Sequence, residues 1–185
     1  MMDISDNELV KNYREGDKRS FEILVSRHLK SVYFYCLKMV GKDDANDTSQ
    51  ETFIKVWKNI KKFDTSKNFK VWMFRIARNT CLDQIRKKQP TVFSDLKKED
   101  DEVMIEDLVE DNKLSAHEEV LIAERNKELA EVLGKLPLAT QEVFILYYQE
   151  ELNFQEISET LKLSINTVKS RHRRGLAELR KLFGL

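Results

Sequence analysis

Apolar positions recur three and four residues apart through most of this chain, the spacing of one face of an α-helix. From Asp17 to Gly41 the stripe is Phe21, Leu24, Val25, His28, Leu29, Val32, Phe34, Tyr35, Cys36 and Met39, which predicts a core helix. A shorter helix precedes it, opened by a capping box from Ser5 to Glu8 and ended by Gly16. A third follows an acidic break, with Phe53, Val56, Trp57 and Ile60 as its core face. From Phe69 to Lys88 a fourth lines up Phe74, Ala77, Cys81 and Ile85. The pattern fades at Gln89-Pro90 and resumes at Ser115, where Ser115 to Glu118 form a second capping box for a helix to about Lys135. Leu136-Pro137 breaks that helix. Another runs through Val143, Phe144, Leu146, Tyr147 and Tyr148. Asn153 and Glu156 cap a short helix with Ile157 and Leu161 inward, Lys162-Leu163 makes a turn, and Ser164 caps a final helix. On that helix Ile165, Val168, His172, Leu176, Leu179 and Leu182 share the inner side. Two Pro and five Gly leave little material for β-turns. The expected class is all-α, with two small helical domains over 1–90 and 115–185 joined by a linker over 91–114.

Charge sharpens that division. The formal net charge is zero, yet Ile54 to Lys88 carries eleven Lys or Arg against Asp64 and Asp83, a net +9. Thr91 to Val120 carries eleven Asp or Glu against three Lys, a net −8. Leu161 to Leu185 carries seven Lys or Arg against Glu178, a net +6. Two basic segments around an acidic one suggest two polyanion-binding surfaces and a connector that avoids the polyanion.

The polar faces refine the chemistry. On the Phe69–Lys88 helix the side opposite the core carries Trp72, Arg75, Asn79, Asp83 and Arg86, with Lys87 and Lys88 following. An aromatic among bases and an amide suits a surface that stacks unpaired bases and holds phosphates. The competing reading puts Trp72 in the core and the charges in water. The polar loop Asp64–Asn68 directly before this helix could pocket an extruded base. In the second half, Asn166, Lys169, Ser170, Arg173, Arg174, Arg180 and Lys181 share the outer side of the final helix. Two helices joined by a tight turn, the second basic on its outer face, form the helix-turn-helix pattern, whose first turns enter the major groove. Arg and Lys read guanine there, and Ser and Asn supply shorter contacts.

Other chemistries find little support. His28, His117 and His172 lie far apart, and His28 and His172 fall on core stripes. Cys36 and Cys81 have neither CxxC spacing nor nearby His, so they read as buried free thiols. No catalytic residues, metal ligands or cofactor are expected. No apolar run is long enough to span a bilayer, and the acidic N-terminus is no signal peptide, so a cytoplasmic protein is expected.

With these segments in view, the chain resembles the extracytoplasmic-function (ECF) group of bacterial RNA polymerase sigma factors. The resemblance rests on DANDTSQETFIKVW and WMFRIARNTCLDQIR in the first half, and on LPLATQEVFILYY, FQEISETL and SINTVKSRHRRGLAELR in the second. It spans nearly everything from Asp17 to Phe183. It implies two domains, σ2 and σ4, that bind core RNA polymerase, recognise promoter DNA and help open it. It implies that Asp44, Asp47, Gln50, Glu51, Lys55 and Trp57 dock on polymerase. Lys67, Lys70, Trp72, Arg75, Asn79, Asp83 and Arg86 would read and melt the −10 element, with Asn79 where the family holds a flipped base. Asn166, Lys169, Ser170, Arg173 and Arg174 would read the −35 element, and Thr167 would contact phosphate. The linker would thread the RNA path of polymerase. The default regulator is an anti-sigma factor, soluble or membrane-bound, the latter holding the protein at the membrane. Asn166 stands where the family commonly has Gly, a change that a helix N-terminus tolerates well; His172-Arg173 is a less usual pair, so the exact −35 sequence does not transfer.

Two rivals remain at this stage. A conventional helix-turn-helix regulator would bind an operator as a homodimer without polymerase, but has no need to hold unpaired bases. A small nuclease would need a carboxylate cluster or phosphate loop that the sequence lacks. Two open basic faces would bind nucleic acid non-specifically, so the two halves are expected to pack together and hide them when inhibited.

Overall fold

The computed structural model describes residues 4–88 and 133–183, all-α among those residues. The 91–114 linker and the expected helix from Ser115 as far as residue 132 lie outside them. The first half holds α1 (Asp6–Arg14), α2 (Lys18–Val40), α3 (Lys42–Asn59) and α4 (Phe69–Lys88). The second holds α5 (Leu138–Phe144), α6 (Phe154–Leu161) and α7 (Ile165–Phe183).

Local signals set the boundaries. Ser5 accepts from the Glu8 amide and caps α1. Asp17 caps α2, accepting from the Arg19 amide at 3.0 Å and the Ser20 hydroxyl at 2.6 Å. Gly41, at φ 82°, ends α2 where a side chain would be strained, and α3 starts at the next residue. Asn153 and Glu156 form a complete capping box on α6. Lys162 closes that helix in the left-handed region at φ 53°.

The core joins Leu24, Val32, Tyr35 and Cys36 of α2, Met73, Phe74, Ala77 and Cys81 of α4, and Val143, Leu146, Ile157 and Val168 of the second half. The Cys36 and Cys81 sulfurs lie 3.7 Å apart inside it, both as free thiols. Two elements depart from the apolar pattern. The buried face of α3 is Ala45, Thr48, Ser49, Thr52 and Val56, so α3 packs with small side chains. Thr52 and Ser49 donate to the backbone carbonyls of Thr48 and Asn46, both at 2.8 Å, which removes the cost of burying their hydroxyls. Trp57, expected on the core face, is consequently turned outward and 52% exposed beside Ile54. Leu29, one residue beyond buried His28, is rotated off the α2 stripe and is likewise exposed.

After α5 the chain widens into a π-helical turn, Ile145–Gln149, marked by the Glu150 amide donating to the Ile145 carbonyl at 3.1 Å. An i→i+5 turn inserts one extra residue. Two ordinary turns take roughly 7.2 residues, so the insertion returns Glu150 to the side that Glu142 occupies. Both carboxylates are buried, and both face the first half.

Candidate nucleic-acid interface

The loop before α4 is held by its own polar residues and by α1. Asp64 accepts from the Ser66 amide and hydroxyl at 3.0 and 2.8 Å. Those bonds hold the exposed Asp64 carboxyl below its ordinary pKa. The Asn7 amide donates to the carbonyls of Thr65 and Lys67 at 3.0 and 2.9 Å. Asn68 accepts from the Lys70 amide at 2.9 Å and caps α4. Between this loop, α1 and α2 lies a polar cleft of about 680 Å³, with Asp6, Arg27, His28, Ser66 and Lys67 among its lining. Asp6 contacts Arg27 at 2.5 Å and His28 Nε2 at 2.7 Å. Burial pushes the Asp6 carboxyl up, but His28 and Arg27 outweigh it and hold the carboxyl below its usual range.

On α4, Trp72 satisfies both sequence readings. It is half-buried, its ring 5.0 Å from Phe63 and 5.7 Å from Phe69, so it extends the core to the surface. Next to it along the helix, Arg75 is half-exposed and Asn79 exposed. Among the described residues neither makes a hydrogen bond or ion pair, which leaves both available to a ligand. Lys67 and Arg86 are exposed as well.

Two members of the expected −10 set are engaged elsewhere. Asp83 turns toward α3, 3.7 Å from Lys55, which also pairs with Glu51 at 3.0 Å. Lys70 turns toward the second half, its ammonium 3.1 Å from Glu150 Oε2 and 2.8 Å from the Glu150 carbonyl. In the expected docking set, Asp47, Gln50 and Trp57 are exposed on one flank of α3. Asp44 is covered: Gln84 donates to it at 3.0 Å and Lys88 pairs with it, and the Lys88 contact holds its carboxyl below the usual range.

The second surface lies on α7. Ser164 accepts from the Thr167 amide at 3.1 Å, and the two hydroxyls are 2.8 Å apart. Asn166, Lys169, Ser170 and Arg173 line a hollow of about 260 Å³. Arg174 is exposed and donates to the Ser170 carbonyl at 3.4 Å. Six expected residues thus share one helix, and four of them one concavity. Behind them His172 stacks on Phe144 at 5.3 Å, and its Nε2 is 3.1 Å from the Tyr148 hydroxyl. Burial lowers the His172 pKa.

Comparison with known proteins decides the family. The sigma-70 region 2 profile matches residues 24–91, and the sigma-70 region 4 profile matches residues 126–179. The ECF RNA polymerase sigma factor SigW of Bacillus subtilis is 34% identical over 175 residues, 93% of each chain. This chain belongs to the ECF sigma factors. SigM of the same organism is 33% identical over 159 residues, covering 84% of this sigma factor and 90% of SigM. CnrH, solved in complex with the cytosolic domain of CnrY, superposes with a TM-score of 0.66 over 97% of both chains at 25% identity. The sigma factor RpoE of Bartonella quintana shares the fold, with a TM-score of 0.67 over 90% of this chain and 98% of its own at 22% identity.

The charges sequence reasoning passed over are Arg78, Glu142 and Glu150. Arg78 lies between the two faces assigned to its helix. Glu142 and Glu150 flank the apolar run VFILYYQ, and a carboxylate beside such a run was the available signal.

Proposed function

We propose that this sigma factor binds core RNA polymerase, directs it to promoters through two separate DNA surfaces, and helps open the duplex. The observation that carries this reading is the pairing of two unlike sites in one chain. The α7 hollow presents Asn, Lys, Ser and Arg donors of the kind that read base edges in a major groove. The α4 face presents a half-buried Trp beside an Arg and an Asn that have no partner among the described residues, which suits unstacked bases. A duplex-binding regulator uses the first and has no use for the second.

Opening DNA in this way needs no catalytic residue. It needs binding energy larger for the separated strand than for the duplex. Extruding a base costs a few kcal/mol, and stacking returns roughly 1–3 kcal/mol per base. Trp72, Arg75, Asn79, Lys67 and Arg86 supply that return in this reading. The clamped loop 64–68 and its cleft hold the extruded base. Asp47, Gln50, Glu51, Lys55 and Trp57 dock on polymerase, with exposed Trp57 as the apolar anchor. Asp83 and Asp44 tie α4 to α3, so the docking and melting helices move as one. The domain division at 1–90 and 115–185 belongs to this proposal.

The partners are core polymerase, promoter DNA and an anti-sigma factor. The last follows from the likeness to CnrH, whose structure contains the cytosolic domain of CnrY. Among the described residues no helix is long and apolar enough to cross a membrane. We place the protein in the cytoplasm, with any membrane attachment supplied by the anti-sigma factor. Run-off transcription with core polymerase on a fragmented genomic library tests the reading. Discrete starts that require this protein are expected. Unchanged starts, with the protein alone retaining a specific fragment, would make it a conventional regulator.

A further inference from the structure

The −10 face stands open. Packing of the two halves occupies Lys70, but Trp72, Arg75 and Asn79 keep some or all of their exposure, and the α7 hollow is uncovered. The expected hiding of both basic faces is therefore met at one edge of one face. The open face is braced from its other side, by α1.

Asn7 and Arg14 are about two helical turns apart, so they share one side of α1. Between them they reach the whole connection from α3 to α4. That connection is a 3-10 turn, Ile60–Lys62, then extended backbone at Phe63, then the loop to Asn68. Arg14 Nη2 donates to the Ile60 carbonyl at 2.9 Å and also to the Phe63 carbonyl. Asn7 donates to the carbonyls of Thr65 and Lys67. Four carbonyls of one connection thus accept from two side chains of α1. The brace is itself anchored: Leu9 and Val10 are buried, and Asp6 is paired with Arg27 and His28 of α2. Its Arg14 end leads to the −10 face. Phe63 is buried, with its ring 5.0 Å from Trp72 and 5.6 Å, edge-on, from Phe69. Fixing the Phe63 carbonyl fixes the ring that backs Trp72.

We infer that Arg14 is a positioning residue for strand opening: through Phe63 it holds Trp72 ready for an unpaired base, while Asn7 holds the adjoining loop. This rests on the assignment of α4 and the loop before it to unpaired bases. Arg14 is itself exposed, so its loss opens no hole in the core. Water can satisfy carbonyls at a surface turn. A guanidinium satisfies two at once and fixes their separation. A connection left to water would have to become ordered as the base arrives, and that cost would be subtracted from the binding that opens the duplex. A cation that only capped the end of α3 would stabilise the fold without reaching Trp72.

The test is a double-variant cycle in the full-length protein bound to core polymerase, on a promoter from the run-off experiment. Permanganate reactivity of unpaired thymines, followed in time, gives the open-complex rate. Arg14→Ala should lower that rate roughly tenfold, as the fraction of holoenzyme poised for capture falls, with affinity for core polymerase unchanged. Arg14→Lys keeps the charge and should recover part of the loss. In a Trp72→Ala background, Arg14→Ala should change the rate by less than about twofold, because the side chain it positions is gone. The full loss persisting in that background overturns the proposal, as does a parallel loss of polymerase affinity. If Arg14→Ala loses helicity by circular dichroism, Arg14→Lys goes through the same cycle, and its loss must vanish with Trp72 or the proposal fails. A wild-type holoenzyme that starts at no promoter would instead overturn the sigma-factor reading, before any variant is compared.

Discussion

Gly175 lies against the ring of Phe144 so closely that a Cβ at 175 would sit 2.5 Å from Phe144 Cε2 and 2.6 Å from Thr140 Cγ2. Helix α7 crosses α5 at this point, and the absent side chain allows the crossing. Helix propensity alone favours Ala over Gly by roughly 1 kcal/mol. The overlap reverses that preference, because Phe144 is buried and has little room to retreat. Gly175→Ala should destabilise the protein by about 1–3 kcal/mol. Thermal unfolding of the two proteins checks the sign: a higher midpoint for the variant would show that Phe144 moves aside.

His172 packs among Phe144, Tyr147, Tyr148 and Phe154, and burial lowers its pKa from 6.5. The unfolded chain therefore binds the proton at higher pH than the folded one. The neutral ring's contribution is present in full above pH 6.5 and is lost as pH falls through that value toward the lowered pKa. Asp6 titrates in a separate window. Its carboxyl is held below 3.8, so its contribution is present above that value and is lost in stronger acid. Denaturant titrations from pH 8 to 5 should show stability declining, and the decline should weaken in His172→Phe. An equal decline in that variant would place the titrating group elsewhere.

Much of this was legible from residue order. Helix starts were fixed by Ser5, Asp17, Asn153 and Ser164, whose side chains cap through contacts two or three residues away. The α7 donors were legible because one helical face carries them all. What pattern could not supply was the packing of α3, where Ala, Ser and Thr form the buried face and Trp57 stays outside. Those small residues carry no hydrophobic signal, and their burial follows from the approach of α2. Nor could it supply partners distant in sequence. Asp44 read as an exposed docking acid until α4 brought Gln84 and Lys88 to it, and Lys70 read as a free cation until α5 and the π-helical turn brought Glu150.

Asn7 is remote from α4 in sequence, yet its amide clamps the carbonyls of Thr65 and Lys67. These bonds fix the loop that walls the cleft. Losing them should cost about 1–2 kcal/mol in stability, from two bonds of roughly 0.5–1.5 kcal/mol each, one of them exposed. The functional effect should be selective. Asn7→Ala should slow open-complex formation with polymerase while leaving duplex binding at the −35 element unchanged. Permanganate reactivity of unpaired thymines and footprinting of the upstream element separate the two. Equal loss in both would mean the variant acts through global stability.

Arg173 and Thr167 lie on one helix but should fail differently. Arg173 is exposed in the α7 hollow, with no hydrogen bond or ion pair among the described residues, so its guanidinium is free for a bidentate contact to a base edge. Thr167 sits in the first turn, its amide already bonded to Ser164 and its hydroxyl 2.8 Å from the Ser164 hydroxyl. That places it where helix N-termini meet phosphate. Arg173→Ala should cost about 1–3 kcal/mol and relax preference at one position of the −35 element. Thr167→Val should weaken all sequences alike. Transcription by polymerase with each variant, on promoters substituted singly through the −35 element, reads both effects. A variant at Arg173 that loses affinity equally on every promoter would reassign that side chain to the backbone.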